Sequence, residues 1–173
     1  MLFRSSLQKE IIDSVLSGQD TFALLPTGGG KSICFQVPAL MNDGICLVIS
    51  PLVALMKDQV QNLQKLDIKA IALTGGIKSD ELVTLLDNCQ FGNYKFLYLS
   101  PERLQTEWVL ERIKQLPISI IAIDEAHCVS QWGQDFRPSY LKISNLKTHF
   151  PKVPFIALTA SATKRVQIGR AHV

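Results

Sequence analysis

Residues 24–34 read LLPTGGGKSIC, and the three consecutive glycines between a proline and a lysine decide how the chain is read. Glycine loses the most backbone freedom on ordering, so such a run suits neither a helix start nor a strand. Something must require bare backbone. Upstream, TFALLP (21–26) is a short apolar run ending at Pro26; downstream, SICFQVPALM (32–41) is expected to start a helix at about Lys31. The glycines therefore fall in a strand-to-helix turn. A helix start offers unpaired N–H groups and partial positive charge, both suited to phosphate. In that arrangement Thr27, Gly28, Gly29 and Gly30 curl around phosphate oxygens, Lys31 reaches the β- and γ-phosphates, and the Ser32 hydroxyl ligates Mg²⁺. The strict spacing G-x-x-x-x-G-K-[ST] is not met, because Leu25 stands at its first glycine. Taken alone, the run also reads as a flexible loop.

Outward from this turn, apolar β-branched runs recur: ICLVIS, IKAIAL, KFLYLS, SIIAID and PFIALTA. They are continuous rather than alternating, the mark of strands buried on both faces of a parallel sheet. Helical patterns separate them. SPLVALMKDQVQNLQKL (50–66) aligns Leu52, Leu55, Met56, Val60 and Leu63, with Ser50 as N-cap and Pro51 in the first turn. SDELVTLLDN opens on Ser79 as a cap with two acids behind it, and TEWVLERIKQL is a third helix. Strand–helix alternation of this kind predicts an open α/β sheet with right-handed crossovers and helices on both faces.

A phosphate loop needs a second half, and SIIAIDEAHC supplies one. Asp124 and Glu125 end an apolar strand, where open α/β sheets bind ligands. Asp124 can hold Mg²⁺, directly or through water, and Glu125 can orient and deprotonate the water that attacks a γ-phosphate. A solvated acidic strand end is the alternative for either acid alone. The loop and the acids in one α/β pattern predict nucleoside triphosphate binding and hydrolysis.

Bulk composition is compatible with this. The 173 residues are 47% hydrophobic and 19% charged, enough for one domain with a substantial core, and the net charge of +3 allows a nucleic-acid partner without a basic tail. Cys34, Cys46, Cys89 and Cys128 are scattered singly, so buried free thiols are expected and zinc is not. No signal peptide and no apolar run of membrane-spanning length is visible, so a cytoplasmic location is expected.

PTGGGKS, SPLVALMKDQV, LYLSPERL, DEAHCVSQWGQDFRPSY and LTASAT occur in that order. Together they resemble the first RecA-like domain of the RecQ family of DNA helicases, in helicase superfamily 2, over residues 3–166. The specific feature is an Asp-Glu-Ala-His box running directly into a loop that carries tryptophan and phenylalanine. The resemblance implies a RecA-like P-loop domain with the PFIALTA strand between the phosphate-loop strand and SIIAID. It also implies ATP and Mg²⁺ as cofactors, single-stranded DNA and duplex junctions as partners, and 3′-to-5′ movement in repair and recombination. A second RecA-like domain supplying an arginine finger, with zinc-binding and winged-helix parts, follows in that family.

By position, Lys31 and Ser32 resemble the family's phosphate and magnesium residues, and Asp124 and Glu125 its metal-organising and water-activating pair. Gln8 resembles the glutamine that reads adenine; Ser5-x-x-Gln8 is equally a capping box for the first helix. Three residues separate Phe3-Arg4 from Gln8 where the family has two. Trp132, Phe136 and Arg137 resemble a loop that senses single-stranded DNA, where aromatic faces and arginine stack on bases; ordinary core aromatics are the other reading. Gln134 stands where the family often has histidine, and Ser161 where it often has threonine. His127, Gln134, Ser161 and Thr163 are read as coupling the ATP and DNA sites. Lys57, Gln59 and Arg103 lie near strand ends and could hold DNA phosphates; a solvated helix face is the alternative for Lys57.

One domain over residues 1–167 is expected. The terminal IGRAHV (168–173) breaks the preceding pattern and is expected to be a non-native tail. Two other functional classes stay open: a different superfamily 2 translocase or RNA helicase, and a catalytically incompetent nucleotide- or DNA-binding fragment.

Overall fold

The computed structural model describes residues 6–129 and 138–160. Six strands form one sheet: β1 (Thr21–Leu24), β2 (Ile45–Ile49), β3 (Ala70–Leu73), β4 (Phe96–Leu99), β5 (Ile118–Ile123) and β6 (Phe155–Thr159). Among the described residues six α-helices accompany them: α1 (Ser6–Leu16), α2 (Lys31–Met41), α3 (Val53–Gln64), α4 (Ser79–Phe91), α5 (Glu107–Lys114) and α6 (Ser144–His149). Every strand pair is parallel, in the order β1-β6-β5-β2-β4-β3. The fold is the parallel α/β sheet the sequence predicts, and β6 lies between β1 and β5 as the resemblance implies.

The continuous apolar runs have a direct physical outcome. Successive side chains of a strand point to opposite faces, and here both faces are covered. On β2, Ile45, Leu47 and Ile49 pack with Leu82 and Leu86 of α4, Val109 and Ile113 of α5, and Leu146 of α6. The intervening Cys46 and Val48 pack with Ile11 and Val15 of α1, Cys34 and Phe35 of α2, and Met56 and Val60 of α3. β4 divides in the same way, Leu97 and Leu99 to the first layer, Phe96 and Tyr98 to the second. A bulge between Ile45 and Cys46 shifts the register with β5, so that Ile118 and Ile121 reach the same layer. All four cysteines are buried free thiols. Burial pushes the Cys34 thiol up to about 11 and Cys89 to about 12, far from the reactive thiolate range.

Two helix starts and one strand end differ from expectation. Ser50 does not cap α3: Leu52 is extended (φ −105°), the helix begins at Val53, and the Leu52 N–H donates to Ser50 Oγ at 3.4 Å. Ser50 is buried at the end of β2 and its hydroxyl serves Asp124, which draws it away from the helix. Leu52 consequently leaves the apolar stripe and is exposed. Ser79 is the first residue of α4 rather than its cap, and Lys78 holds the cap position without a side-chain bond. β1 ends at Leu24, two residues before Pro26. No helix among the described residues is long and apolar enough to cross a membrane.

Candidate functional site

The chain leaves β1 through Leu25, whose N–H donates to Thr159 O at 3.0 Å, and then turns through the glycines into α2. Two of those glycines are there for separate reasons. Gly30 sits at φ 72° and ψ 38° as the N-cap of α2, a left-handed conformation that L-residues adopt at a cost of about 1–2 kcal/mol. A Cβ there would also stand 2.3 Å from Gln8 Nε2. Gly29 donates its N–H to Pro26 O at 2.8 Å, and a Cβ on it would meet that same oxygen at 2.8 Å. The turn is therefore closed on itself and held from behind by Gln8, which is 1% exposed and donates through Nε2 to Gly29 O at 2.8 Å. Thr27 and Gly28 form the exposed rim of the loop.

Lys31 and Ser32 lie in the first turn of α2, and Lys31 projects toward the end of β5. Lys31 Nζ is 3.6 Å from Glu125 Oε1, with both side chains about one-fifth exposed. Asp124 precedes Glu125 and is buried. The Asp124 N–H donates to Ile49 O of the neighbouring strand at 2.9 Å, and Tyr140 donates its hydroxyl to Asp124 O at 3.1 Å. Burial, then the adjacent Glu125 charge, hold the Asp124 carboxyl above the ordinary range; the Glu125 N–H (3.0 Å to Oδ1), Lys31 and Ser50 act in the opposite direction. Glu125 itself lies at φ 52°, left-handed for a non-glycine residue. That turn brings its carboxylate to Lys31 on one side and to His127 Nδ1, 3.2 Å from Oε2, on the other. His127 Nδ1 is also 3.0 Å from Thr159 Oγ1 at the end of β6. The C-terminal ends of β1, β5 and β6 thus converge on one polar cluster.

Among the described residues no group of three or more His, Cys, Asp or Glu could hold a metal by protein ligands alone. Mg²⁺ does not require such a cage, since it usually keeps waters and takes one or two protein oxygens plus substrate phosphates. Ser32 and Asp124 are hard oxygen donors of that kind, and Asp124 is a buried carboxylate that a cation would compensate. The donor set fits.

The other sequence-predicted residues divide. Lys57 is exposed on α3. Arg103 lies in the 3₁₀ turn Pro101–Gln105 and donates to Thr74 O at 2.6 Å, so part of its guanidinium already ties β3 to β4. Gln59 is half-buried on α3 and donates through Nε2 to Ser32 Oγ at 3.2 Å. Trp132, Gln134, Phe136, Arg137, Ser161 and Thr163 lie outside the described residues, as do Ser5 and Arg4. Sequence reasoning missed Thr159, fully buried at the end of its strand, and Ser50 and Tyr140, all of which touch the acid pair or its neighbours. A hydroxyl ending an apolar strand run, as in FIALT and LVIS, was the available signal. A groove of about 680 Å³ lined by Val83, Glu107, Trp108, Glu111 and Arg112 lies on the α4/α5 layer and contains none of the expected residues.

Comparison with known proteins agrees with the fold. The DEAD/DEAH box helicase family pattern matches residues 5–168. The chain is 52% identical over 158 residues to the probable ATP-dependent DNA helicase RecS of Bacillus subtilis, covering 91% of this chain and 32% of that protein. It is 46% identical over 160 residues to the ATP-dependent DNA helicase RecQ of Haemophilus influenzae, covering 92% and 26%. The chain therefore spans about a third or less of these relatives. Among solved structures, the helicase domain of Pyrococcus furiosus Hef superposes with a TM-score of 0.70 at 22% identity, over 97% of this chain and 37% of that one. The DNA-bound helicase MrfA gives 0.77 at 21%, over 95% and 25%. At those identities the two structures speak to the fold alone.

Proposed function

The chain belongs to the DEAD/DEAH box helicase family, and from that premise we propose that it is the first RecA-like motor domain, residues 1–167, of a RecQ-type ATP-dependent DNA helicase. The observation that carries the proposal is the approach of Lys31 Nζ to Glu125 Oε1, 3.6 Å, in front of a glycine turn. Gly28, Gly30 and the start of α2 offer amide donors and the positive helix end to the phosphates, while Gly29, its N–H held by Pro26 O, shapes the turn. Lys31 takes the β- and γ-phosphates, Glu125 holds the attacking water, and Gln8, whose Nε2 is fixed to Gly29 O, would read adenine. Ser32 and Asp124 would hold Mg²⁺, which would offset the charge of the phosphates. His127, between Glu125 and Thr159, is suited to pass the state of the site to the LTASAT segment.

The substrate reading rests on similarity to RecS and RecQ and on the aromatic loop at Trp132, Phe136 and Arg137. Single-stranded DNA, 3′-to-5′ movement and a role in repair and recombination belong to the same proposal. Its test is made in the protein that contains this chain. Glu125→Gln retains nucleotide binding and lowers single-stranded-DNA-stimulated ATP hydrolysis by about 10²–10⁴, the usual contribution of a general base. Lys31→Ala weakens nucleotide binding itself. Undiminished hydrolysis by the Glu125→Gln protein, or stronger stimulation by RNA than by DNA, would overturn the proposal.

A further inference from the structure

Four polar side chains close a ring between α2, α3 and β4. Gln36 donates through Nε2 to Tyr98 OH at 3.4 Å, Tyr98 donates its hydroxyl to Gln59 Oε1 at 2.9 Å, and Gln59 donates through Nε2 to Ser32 Oγ at 3.2 Å. Ser32 and Gln36 are four residues apart on α2, so they share a face one turn apart and the circuit returns to its own helix. Donor counting sets the direction of each bond. An amide N–H can only donate, so Gln36 takes a lone pair of the phenol oxygen, and the single phenol hydrogen goes to Gln59. With its carbonyl committed to Tyr98, Gln59 presents its NH₂ group to Ser32. Tyr98 is 1% exposed, and burial holds its phenol above the ordinary range, so the donor keeps its proton at physiological pH.

We infer that Gln59 is a positioning residue for the Ser32 hydroxyl, with Tyr98 fixing the Gln59 amide in the orientation this needs. A serine oxygen has two lone pairs. Gln59 occupies one, which directs the other to the cation. The inference rests on the reading of Ser32 as a magnesium ligand. It also reassigns Gln59 from nucleic-acid contact to support of the nucleotide site, an action through another residue rather than on the substrate.

The test measures affinity of the 173-residue chain for a fluorescent ADP analogue, once with Mg²⁺ and once in EDTA. Loss of an outer partner of a metal ligand typically costs about 10–100-fold in metal affinity. Gln59→Met is therefore expected to lose roughly tenfold of the Mg²⁺-dependent tightening, at the low end of that range, while affinity in EDTA stays unchanged. Tyr98→Phe keeps the ring in the core and shifts the same ratio in the same direction by a smaller factor; it decides the matter if Gln59→Met does not fold. An unchanged ratio in folded variants overturns the inference, and so does an equal loss with and without Mg²⁺, which would mark Gln59 as a packing support. If Ser32→Ala abolishes the Mg²⁺ effect and the Gln59 and Tyr98 variants do not touch it, this inference alone fails. If the wild-type chain shows no Mg²⁺ effect, the nucleotide-site reading fails and takes the inference with it.

Discussion

Gly30 is where two demands meet on one residue: a left-handed backbone at the cap of α2 and contact with the Gln8 amide. Gly30→Ala is expected to destabilise the chain by about 1–2 kcal/mol through the backbone term alone and to push Gln8 off Gly29 O. A melting curve and a nucleotide titration check both parts; an unaltered melting temperature would show that the turn is not held as described. Asp124 makes the opposite kind of prediction. Because its native pKa is raised above the ordinary 3.8, it binds its proton more tightly in the folded chain than in the unfolded one. Stability therefore falls as pH rises through the interval between those two values, and the loss persists at higher pH. In EDTA, Asp124→Asn should melt above wild type at pH 7, and the gap should close as pH drops below 3.8. The same variant should lose Mg²⁺-dependent nucleotide binding, a separation of stability from function common at sites built from strained or desolvated groups. Glu125, at φ 52°, is such a group as well.

Elements are secured at both ends of the sheet by side chains far apart in sequence. At the end opposite the glycine turn, Asp20 Oδ1 accepts the Phe155 N–H at 2.9 Å and Lys147 Nζ at 2.7 Å, fastening the start of β6 beside β1. Asp20→Ala removes both partners and should cost about 1 kcal/mol, or roughly 2–4 °C in melting temperature for a chain of this size. Asp20→Asn, which keeps an acceptor for Phe155, should lose less; equal losses in calorimetry would show that the ion pair dominates. Element identity was legible from pattern: the apolar runs became strands and the amphipathic stretches became helices. Their edges were less so. Ser50 looked like a cap because a serine followed by proline precedes a helical stripe, yet its burial beside Asp124 took precedence over local capping.

At the scale of the whole molecule, what matters is which charges the fold places around the glycine turn and the acid pair. Lys31 faces the acid pair, but the two arginines among the described residues are engaged elsewhere: Arg103 donates to Thr74 O and Arg112 pairs with Asp87. An arginine finger is worth about 10³–10⁵ in rate to P-loop enzymes. The 173-residue chain is accordingly expected to bind Mg-ADP weakly and to hydrolyse ATP at least 1,000-fold more slowly, about the lower bound for that residue, than a protein carrying the second RecA-like domain as well. Single-turnover hydrolysis by both proteins checks this, and equal DNA-stimulated rates would refute it.

From its residues alone the chain determined a parallel α/β sheet, a glycine turn at residues 27–32 and an acid pair ending a strand, because strand burial, helix starts and glycine turns are written in neighbouring positions. The insertion of β6 between β1 and β5 came from family resemblance, since periodicity carries no strand order. Only the tertiary structure decided that Gln59 supports Ser32, that Thr159 meets His127 and that Ser50 serves Asp124. Those partners lie 27, 32 and 74 residues apart. Sheet order and the crossing of α3 over β4 bring them together, and a buried polar group then takes whichever partner that packing supplies.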